Sequence, residues 1–130
     1  MGYGMAAPIA LSLVSGGAPV LSVVGDGGLM MFLGELETAV RTGAHVLYVT
    51  FCDSSLALIE SAQRRREYPL YGMRFSVPDI MQIGAAFGLP TWQVKNENGL
   101  QEAVEQFKRI TGPALVGVTV DPMEYDFQGS

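Results

Sequence analysis

Two aspartates that each follow an apolar run are the residues of this sequence best suited to do chemistry. Asp26 lies in the stretch VGDGGLM, after the run PVLSVV, and Asp53 follows the run HVLYVTF. Gly25, Gly27 and Gly28 leave room for the backbone to approach an anion such as phosphate. An anion beside two carboxylates is repelled unless a cation lies between them, and Mg²⁺ is typically held by one or two carboxylates plus substrate phosphates. The residues therefore indicate a diphosphate that is bound through a divalent metal ion.

Two plainer structures would use the same residues. The stretch at 25–28 also suits a hairpin-type turn. Asp53 and the two serines after it also suit the N-terminal cap of a following helix. A capping residue can also be a metal ligand, so the second alternative does not exclude a metal site.

Apolar runs alternate with helical periodicity along the whole chain. The predicted strands are nearly all apolar, which is typical of parallel strands that are covered on both faces. We therefore expect a three-layer, doubly wound, mostly parallel α/β sheet. Strands are predicted at 19–24, 45–51, 91–95 and 114–120. Helices are predicted at 4–14, 31–42 and 55–65, then from a cap at Ser76 to Phe87 and from a cap at Asn98 to Ile110.

The two aspartates lie at the carboxyl ends of consecutive predicted strands. Sheets of this kind bind ligands at those ends. If the two strands are neighbours, the side chains of Asp26 and Asp53 project into one crevice.

Composition narrows the class of protein. The 130 residues have a net charge of -5, which argues against nucleic acid as a partner. One cysteine, Cys52, allows no internal disulfide bond, and we expect a cytoplasmic protein. The apolar N-terminal stretch lacks the basic segment of a signal peptide and is too interrupted to span a membrane. The hydrophobic content of 48% favours strands that are buried on both faces or a surface that meets another protein.

These motifs resemble the pyrophosphate-binding domain of thiamine diphosphate enzymes. That family has a GDG motif followed, some two dozen residues later, by a pair ending in Asn or Asp, and here the pair is Cys52-Asp53. The acetolactate synthase-like group is the most similar. Its segments MGYGLPAAIG and QELATAVR correspond to MGYGMAAPIA at 1–10 and GELETAVR at 34–41, and VPDIMQIGAAFGLP and PALVGVTVDP fit its closing elements. The resemblance covers nearly the whole chain; Cys52 departs from it, because the family more often has Asn there.

The resemblance implies roles for individual residues. Asp26 and Asp53 would be side-chain ligands of Mg²⁺, and Ser55 would supply a backbone carbonyl to the metal. Backbone amides of the glycines and of residues 56–58 would hold the diphosphate of the cofactor, thiamine diphosphate. The cofactor-binding residues that the resemblance implies are Met1, Gly25, Asp26, Gly27, Gly28, Asp53, Ser55, Leu56, Ala57 and Leu58.

The substrate end of the site matches the family less closely. Met1 matches the bulky apolar residue over which the cofactor bends, and Leu58 and Ile59 match positions near the thiazolium and the substrate. Ala62 stands where biosynthetic acetohydroxyacid synthases have a tryptophan. Pyruvate decarboxylases have an acid at the position of Ile59, one residue before Glu60. The resemblance implies a 2-oxo acid decarboxylase or carboligase, a lyase or transferase, without identifying its 2-oxo acid, and it does not decide whether FAD is bound.

The resemblance further implies that residues 1–130 form one domain, the C-terminal part of a larger enzyme. The family's reaction needs a glutamate on a pyrimidine-binding domain, so no catalytic residue is expected in this chain. The family also has a strand and a helix before the MGYG segment. We therefore expect a partner domain or subunit with this glutamate, a homo-oligomer, and an inactive isolated chain.

Two other functions remain open from the sequence. A nucleotide- or dinucleotide-binding α/β module would also have an acid such as Asp53 after its second strand. Its G-x-G-x-x-G fingerprint, however, needs a glycine where this chain has Met30. The other possibility is a non-catalytic remnant of a thiamine enzyme that serves only in assembly.

Overall fold

A computed structural model describes residues 2–76 and 79–122 of the chain. The strands in these residues are β1 (Val20–Gly25), β2 (Val46–Cys52), β3 (Thr91–Val94) and β4 (Ala114–Thr119). They form one parallel sheet in the order β1-β2-β4-β3, which confirms the predicted parallel α/β fold. The helices are α1 (Tyr3–Val14), α2 (Asp26–Met31), α3 (Glu35–Thr42), α4 (Ala57–Arg65), α5 (Ile80–Phe87) and α6 (Glu97–Phe107).

Alternating side chains of the two central strands build a core on each face of the sheet. Val46 and Tyr48 of β2 pack with residues of α1, α3 and α5 on one face. Leu47 and Val49 pack with residues of α6 on the other face. Because strand side chains alternate between faces, an apolar run such as VLYV fills both cores at once.

Strand β1 departs from the expectation that every strand is covered on both faces. It pairs with β2 and, among the described residues, with no other strand. Ser22 is buried, whereas Leu21 and Val23 are 62% and 54% exposed. The core beneath α6 contains residues of β2, β3 and β4 but none of β1, so this face of β1 stays open.

The helix predicted at 31–42 is shorter in the structure, where α3 spans Glu35–Thr42 and Met31 is the last residue of a separate helix, α2. Helix α2 begins at Asp26, so residues 25–28 lead directly into a helix and do not form a hairpin turn. Residues 32–34 form a tight turn, in which Glu35 N donates to Phe32 O at 3.0 Å and Glu37 N to Gly34 O at 3.1 Å. This turn lets Phe32 pack against the core between the two helices.

Two predicted helix caps are wrong by two or three residues. Helix α5 is capped by Asp79, whose Oδ1 accepts from Met81 N at 2.7 Å, and not by Ser76. Helix α6 is capped by Asn96, whose Oδ1 accepts from Gly99 N at 2.9 Å, and not by Asn98. A cap needs its side-chain oxygen within reach of the first free amides, and a sequence with several suitable residues does not say which one has that geometry. Gly88 ends α5 as predicted, with φ +70° in the left-handed region.

Pro8 lies in the middle of α1 and leaves a helix carbonyl without its usual partner. Proline has no N–H, so the carbonyl of Gly4, four residues earlier, receives no helical bond from it. The Ser22 hydroxyl of β1 donates to this carbonyl at 2.5 Å. The Tyr48 hydroxyl donates to the next carbonyl, of Met5, at 3.0 Å. Side chains of the sheet therefore dock α1 at the place where proline weakens its backbone bonding.

We expect Ser22→Ala to lower the free energy of unfolding by about 1–2 kcal/mol, because the Gly4 carbonyl loses a donor. In a Pro8→Ala background the restored amide of residue 8 donates to Gly4, so the same change should cost less. Urea unfolding of the wild type, both single variants and the double variant measures this coupling. Ser15→Ala, which removes an exposed hydroxyl bonded within α1, is the control. Equal costs of Ser22→Ala in the two backgrounds would contradict this account of Pro8.

In the part of the chain that the structure describes, no helix combines the length and the apolar character that crossing a membrane requires.

Candidate functional site

Asp26 joins the carboxyl ends of β1 and β2. It is the first residue of α2, and its side chain is buried. Its Oδ1 accepts from Gly27 N at 2.7 Å, and its Oδ2 accepts from Ser54 N at 2.7 Å and from Asp53 N at 3.1 Å. One carboxylate thus fixes the backbone after both strands. The two strands are neighbours, which meets the condition for the two aspartates to share one crevice.

Asp53 shapes the turn that follows β2. Its Oδ1 accepts from Ser55 N at 2.8 Å, and Ser54 between them has φ +58°. A left-handed conformation costs roughly 1–2 kcal/mol in a residue other than glycine, so it persists only where surrounding bonds hold it. Here the bonds from Asp26 and Asp53 hold it. Helix α4 begins only at Ala57, and its capping residue, Leu56, makes no side-chain cap bond, so the alternative that Asp53 caps this helix is wrong.

The carboxylates of Asp26 and Asp53 make the electrostatic potential at these strand ends negative. Burial raises the pKa of Asp26, and the nearby charge of Asp53 raises it further, while the amides of Ser54, Gly27 and Asp53 act in the opposite direction. Burial, together with the charges of Asp26 and Asp53, raises the pKa of the Cys52 thiol to about 11. Cys52 is therefore a protonated thiol at neutral pH, and the site favours a cation beside its carboxylates.

A cleft of about 370 Å³ opens between the end of β1 and the start of α4. All the predicted cofactor-binding residues other than Met1 line it, together with Ile59. Met1 lies outside the described residues. Leu58 and Ile59 are exposed at the cleft, and Val23 and Phe51, which the sequence did not single out, add apolar surface to it.

The three glycines of the cleft have different surroundings. A Cβ atom at Gly27 would lie 2.9 Å from Leu56 Cδ2 and 3.4 Å from Phe75 Cζ, so a side chain there would push these groups apart. A Cβ atom at Gly25 or Gly28 would meet nothing within 4 Å. Gly27 is therefore required for close packing, whereas Gly25 and Gly28 present bare backbone to open space.

The metal ligands available at the cleft are oxygens. Across residues 2–76 and 79–122 no group of three or more histidine, cysteine and acidic side chains is placed to hold a metal ion. A cation here would rely on the two carboxylates supplemented by backbone and hydroxyl oxygens. The Ser55 hydroxyl is buried and has no hydrogen-bond partner among the described residues.

Residues 73–75, here called the return segment, run back alongside the turn after β2. Leu56 N donates to Met73 O at 2.8 Å, and Phe75 N donates to Ser54 O at 3.1 Å. The Arg74 side chain contacts Glu60 of α4. Sequence reasoning missed this contribution, because the return segment is separated from the turn by a whole helix and a loop. The only sequence signal in this group is the spacing of Glu60 and Arg64, which suits an ion pair on a helix.

The structure thus defines a parallel α/β domain with two carboxylates at adjacent strand ends and an open glycine backbone beside them. Residues 1–118 match the family described as thiamine pyrophosphate enzyme, C-terminal TPP binding domain, and the chain belongs to this family. The resemblance noted in the sequence is thereby confirmed.

Curated relatives give the same assignment. The chain is 32% identical over 120 residues to the catabolic acetolactate synthase of Raoultella terrigena, covering 91% of this chain and 22% of that protein. It is also 32% identical over 120 residues to the acetolactate synthase of Bacillus subtilis, covering 91% of this chain and 21% of that protein. The chain thus spans about a fifth of the length of these relatives. The crystal structure of benzoylformate decarboxylase from Polynucleobacter necessarius has the same fold, with a TM-score of 0.81, 20% identity, and coverage of 92% of this chain and 23% of that one.

Proposed function

We propose that this chain binds thiamine diphosphate through Mg²⁺ as part of a 2-oxo acid decarboxylase or carboligase similar to acetolactate synthase. The observation that supports it best is the placement of Asp26 and Asp53 at adjacent strand ends, beside one cleft. The family assignment supports thiamine diphosphate as the cofactor. The metal is inferred from the donor atoms.

The residues at the cleft fit a hard divalent cation. Mg²⁺ prefers oxygen ligands and is commonly held by one or two carboxylates plus substrate phosphates. Asp26 and Asp53 would supply the carboxylates and Ser55 a backbone carbonyl. The repulsion between the two carboxylates contributes to the raised pKa of Asp26, and a cation between them would relieve it. The diphosphate would lie against the open backbone at Gly25 and Gly28 and the amides of residues 56–58.

The residues around the cleft would bind and orient rather than transfer protons. Asp26 and Asp53 are the only ionisable side chains among the described residues that line it. Leu58 and Ile59 would limit water and contact the substrate at the rim. The bound cofactor would supply the electron sink that 2-oxo acids need for loss of CO₂. A proton-transferring group would then come from outside the cleft.

The partner that we propose is a pyrimidine-binding domain or subunit that carries the activating glutamate, within a homo-oligomer. The curated relatives are about five times as long as the matched region, which leaves room for such a domain in a related enzyme. On this proposal residues 1–130 are the C-terminal domain of the enzyme, and the isolated chain is inactive.

Calorimetric titration tests the proposal. We expect titration of the chain with thiamine diphosphate to give a heat of binding in the presence of Mg²⁺. No heat of binding should be seen when the metal has been removed with EDTA. NAD, titrated under both conditions, tests the dinucleotide alternative and should give no signal. Binding that is indifferent to metal, or binding of NAD, would contradict the proposal.

A complementation assay separates an enzyme component from an assembly remnant. A pyrimidine-binding domain from a related enzyme, added to the chain with thiamine diphosphate and Mg²⁺, should restore loss of CO₂ from pyruvate or another 2-oxo acid. Cofactor binding without any turnover across a panel of 2-oxo acids would favour the remnant.

A further inference from the structure

The return segment brackets the turn that carries the proposed metal ligands. Its bonds with Leu56 N and Ser54 O lie on either side of Ser55, and Arg74 pairs with Ser55 as an isolated antiparallel bridge. The ring of Phe75 also lies against Gly27, on the other side of the cleft. The position of residues 73–75 therefore determines how the backbone of residues 54–56 is held.

The return segment is in turn tied to α4 by an ion pair. Arg74 Nη2 lies 3.2 Å from Glu60 Oε1, and Arg64 Nη2 lies 2.5 Å from the same oxygen. The Glu60 side chain is only 8% exposed, whereas that of Arg74 is 67% exposed. Arg74 thus contacts the turn through its backbone and α4 through its side chain.

A buried carboxylate holds its cationic partners in place, because leaving its charge unpaired in the protein is costly. Removing an ion from water is costly unless charged donors compensate, and hydrogen bonds from Arg64 and then from Arg74 hold the pKa of Glu60 below its usual value. Displacement of the return segment would take one of these two guanidinium groups away from Glu60. The ion pair with Glu60 therefore resists displacement of the return segment, in addition to the backbone bonds with residues 54–56 and the packing of Phe75 against Gly27.

We propose that Glu60 is a positioning residue that, through Arg74, holds the return segment against residues 54–56 and so fixes the backbone that binds metal and diphosphate. The metal part of this inference rests on the proposed function. The structural part concerns the Leu56 and Phe75 amides alone and can be measured without cofactor.

Residue-resolved hydrogen exchange on the full chain tests the structural part. In Arg74→Met and Glu60→Gln we expect the amides of Leu56 and Phe75 to exchange about fivefold faster, the change that corresponds to an ion pair of about 1 kcal/mol. Arg74→Lys should restore part of the protection. The exchange rates of core amides such as that of Val116 should be unchanged. This result would distinguish local displacement of the return segment from a lower stability of the whole domain.

The control is Arg41→Met, which breaks the exposed ion pair with Glu37 on α3, and neither of these residues lines the cleft. It should leave the Leu56 and Phe75 amides as in the wild type. Because Arg74 is exposed, Arg74→Met should fold even if Glu60→Gln does not. Unchanged exchange at both amides in Arg74→Met would overturn the inference.

Titration of Mg²⁺ in the presence of thiamine diphosphate tests the functional part. The apparent dissociation constant should rise about fivefold in Arg74→Met and stay constant in Arg41→Met. Faster exchange with an unchanged metal affinity would overturn the role of Glu60 at the metal site. If the wild type itself shows no metal-dependent binding, the proposed function and the metal part fail together, and the exchange result alone decides whether Glu60 holds the return segment.

Discussion

Replacement of Asp26 by asparagine should weaken Mg²⁺-dependent binding of thiamine diphosphate by roughly 30-fold or more, corresponding to about 2 kcal/mol or more for loss of one partner of a desolvated charge pair. Asp26 accepts from three backbone amides with its two oxygens. Asparagine has one oxygen and, in place of the other, an NH₂ group that only donates. This NH₂ group would face at least one of the backbone N–H groups that now donate to Asp26. The change therefore removes the negative charge of a proposed metal ligand and disturbs the turn at Ser54. Calorimetric titration of the cofactor with Mg²⁺ measures the loss.

Asp53→Asn is the matched comparison. Asp53 accepts one amide, from Ser55, through Oδ1, and an asparagine oxygen can accept the same bond. Asparagine also retains an oxygen ligand for the metal and keeps the bond from Ser55, so we expect a smaller loss than in Asp26→Asn, about tenfold or about 1.4 kcal/mol. If the two variants bound thiamine diphosphate equally well, the distinct role assigned to the buried Asp26 would be wrong.

Replacement of Gly84 by alanine should lower the free energy of unfolding by about 2–3 kcal/mol, through overpacking between α5 and β3. A Cβ atom at Gly84 would lie 2.7 Å from Thr91 Cβ and closer still to Thr91 Oγ1. Thr91 cannot easily turn away, because it is β-branched and its hydroxyl donates to Leu89 O at 3.0 Å. Thermal unfolding should show a fall in Tm of roughly 4 °C for each kcal/mol.

Gly34→Ala separates this clash from the general effect of replacing glycine. Gly34 has helical angles, φ -59° and ψ -22°, and a Cβ atom there would meet nothing within 4 Å. The substitution should be neutral or stabilising by up to about 1 kcal/mol, because alanine restricts the unfolded chain. A Gly84→Ala variant as stable as Gly34→Ala would mean that α5 can move away from β3 at little cost.

The sheet and the pairing of the two aspartates were predictable because they depend on strong local patterns. Continuous apolar runs separated by helical periods predict parallel strands, and the carboxyl ends of such strands share one edge. The structure confirms that the strands ending before Asp26 and Asp53 are neighbours. The spacing of the GDG motif and Cys52-Asp53 then led to the right family.

Features that depend on tertiary contacts were not predictable. The helical period runs through residues 31–42 without a break, and only packing of Phe32 reveals the turn at 32–34. Ser76 and Asn98 are as suitable for capping as Asp79 and Asn96, so composition could not choose between them. Glu60 draws attention only once Arg74 is brought beside it from the far end of a loop.

The open face of β1 has a consequence for how the chain behaves in solution. An edge strand offers unpaired backbone groups, and here Leu21 and Val23 add an apolar surface next to them. Such edges readily recruit a strand from another copy of the same chain, which leads to aggregation unless charge, proline or a covering element prevents it. None of the residues of β1 is charged or proline. With this edge exposed, we expect low solubility to limit binding measurements on the isolated domain before the affinity of the cleft does.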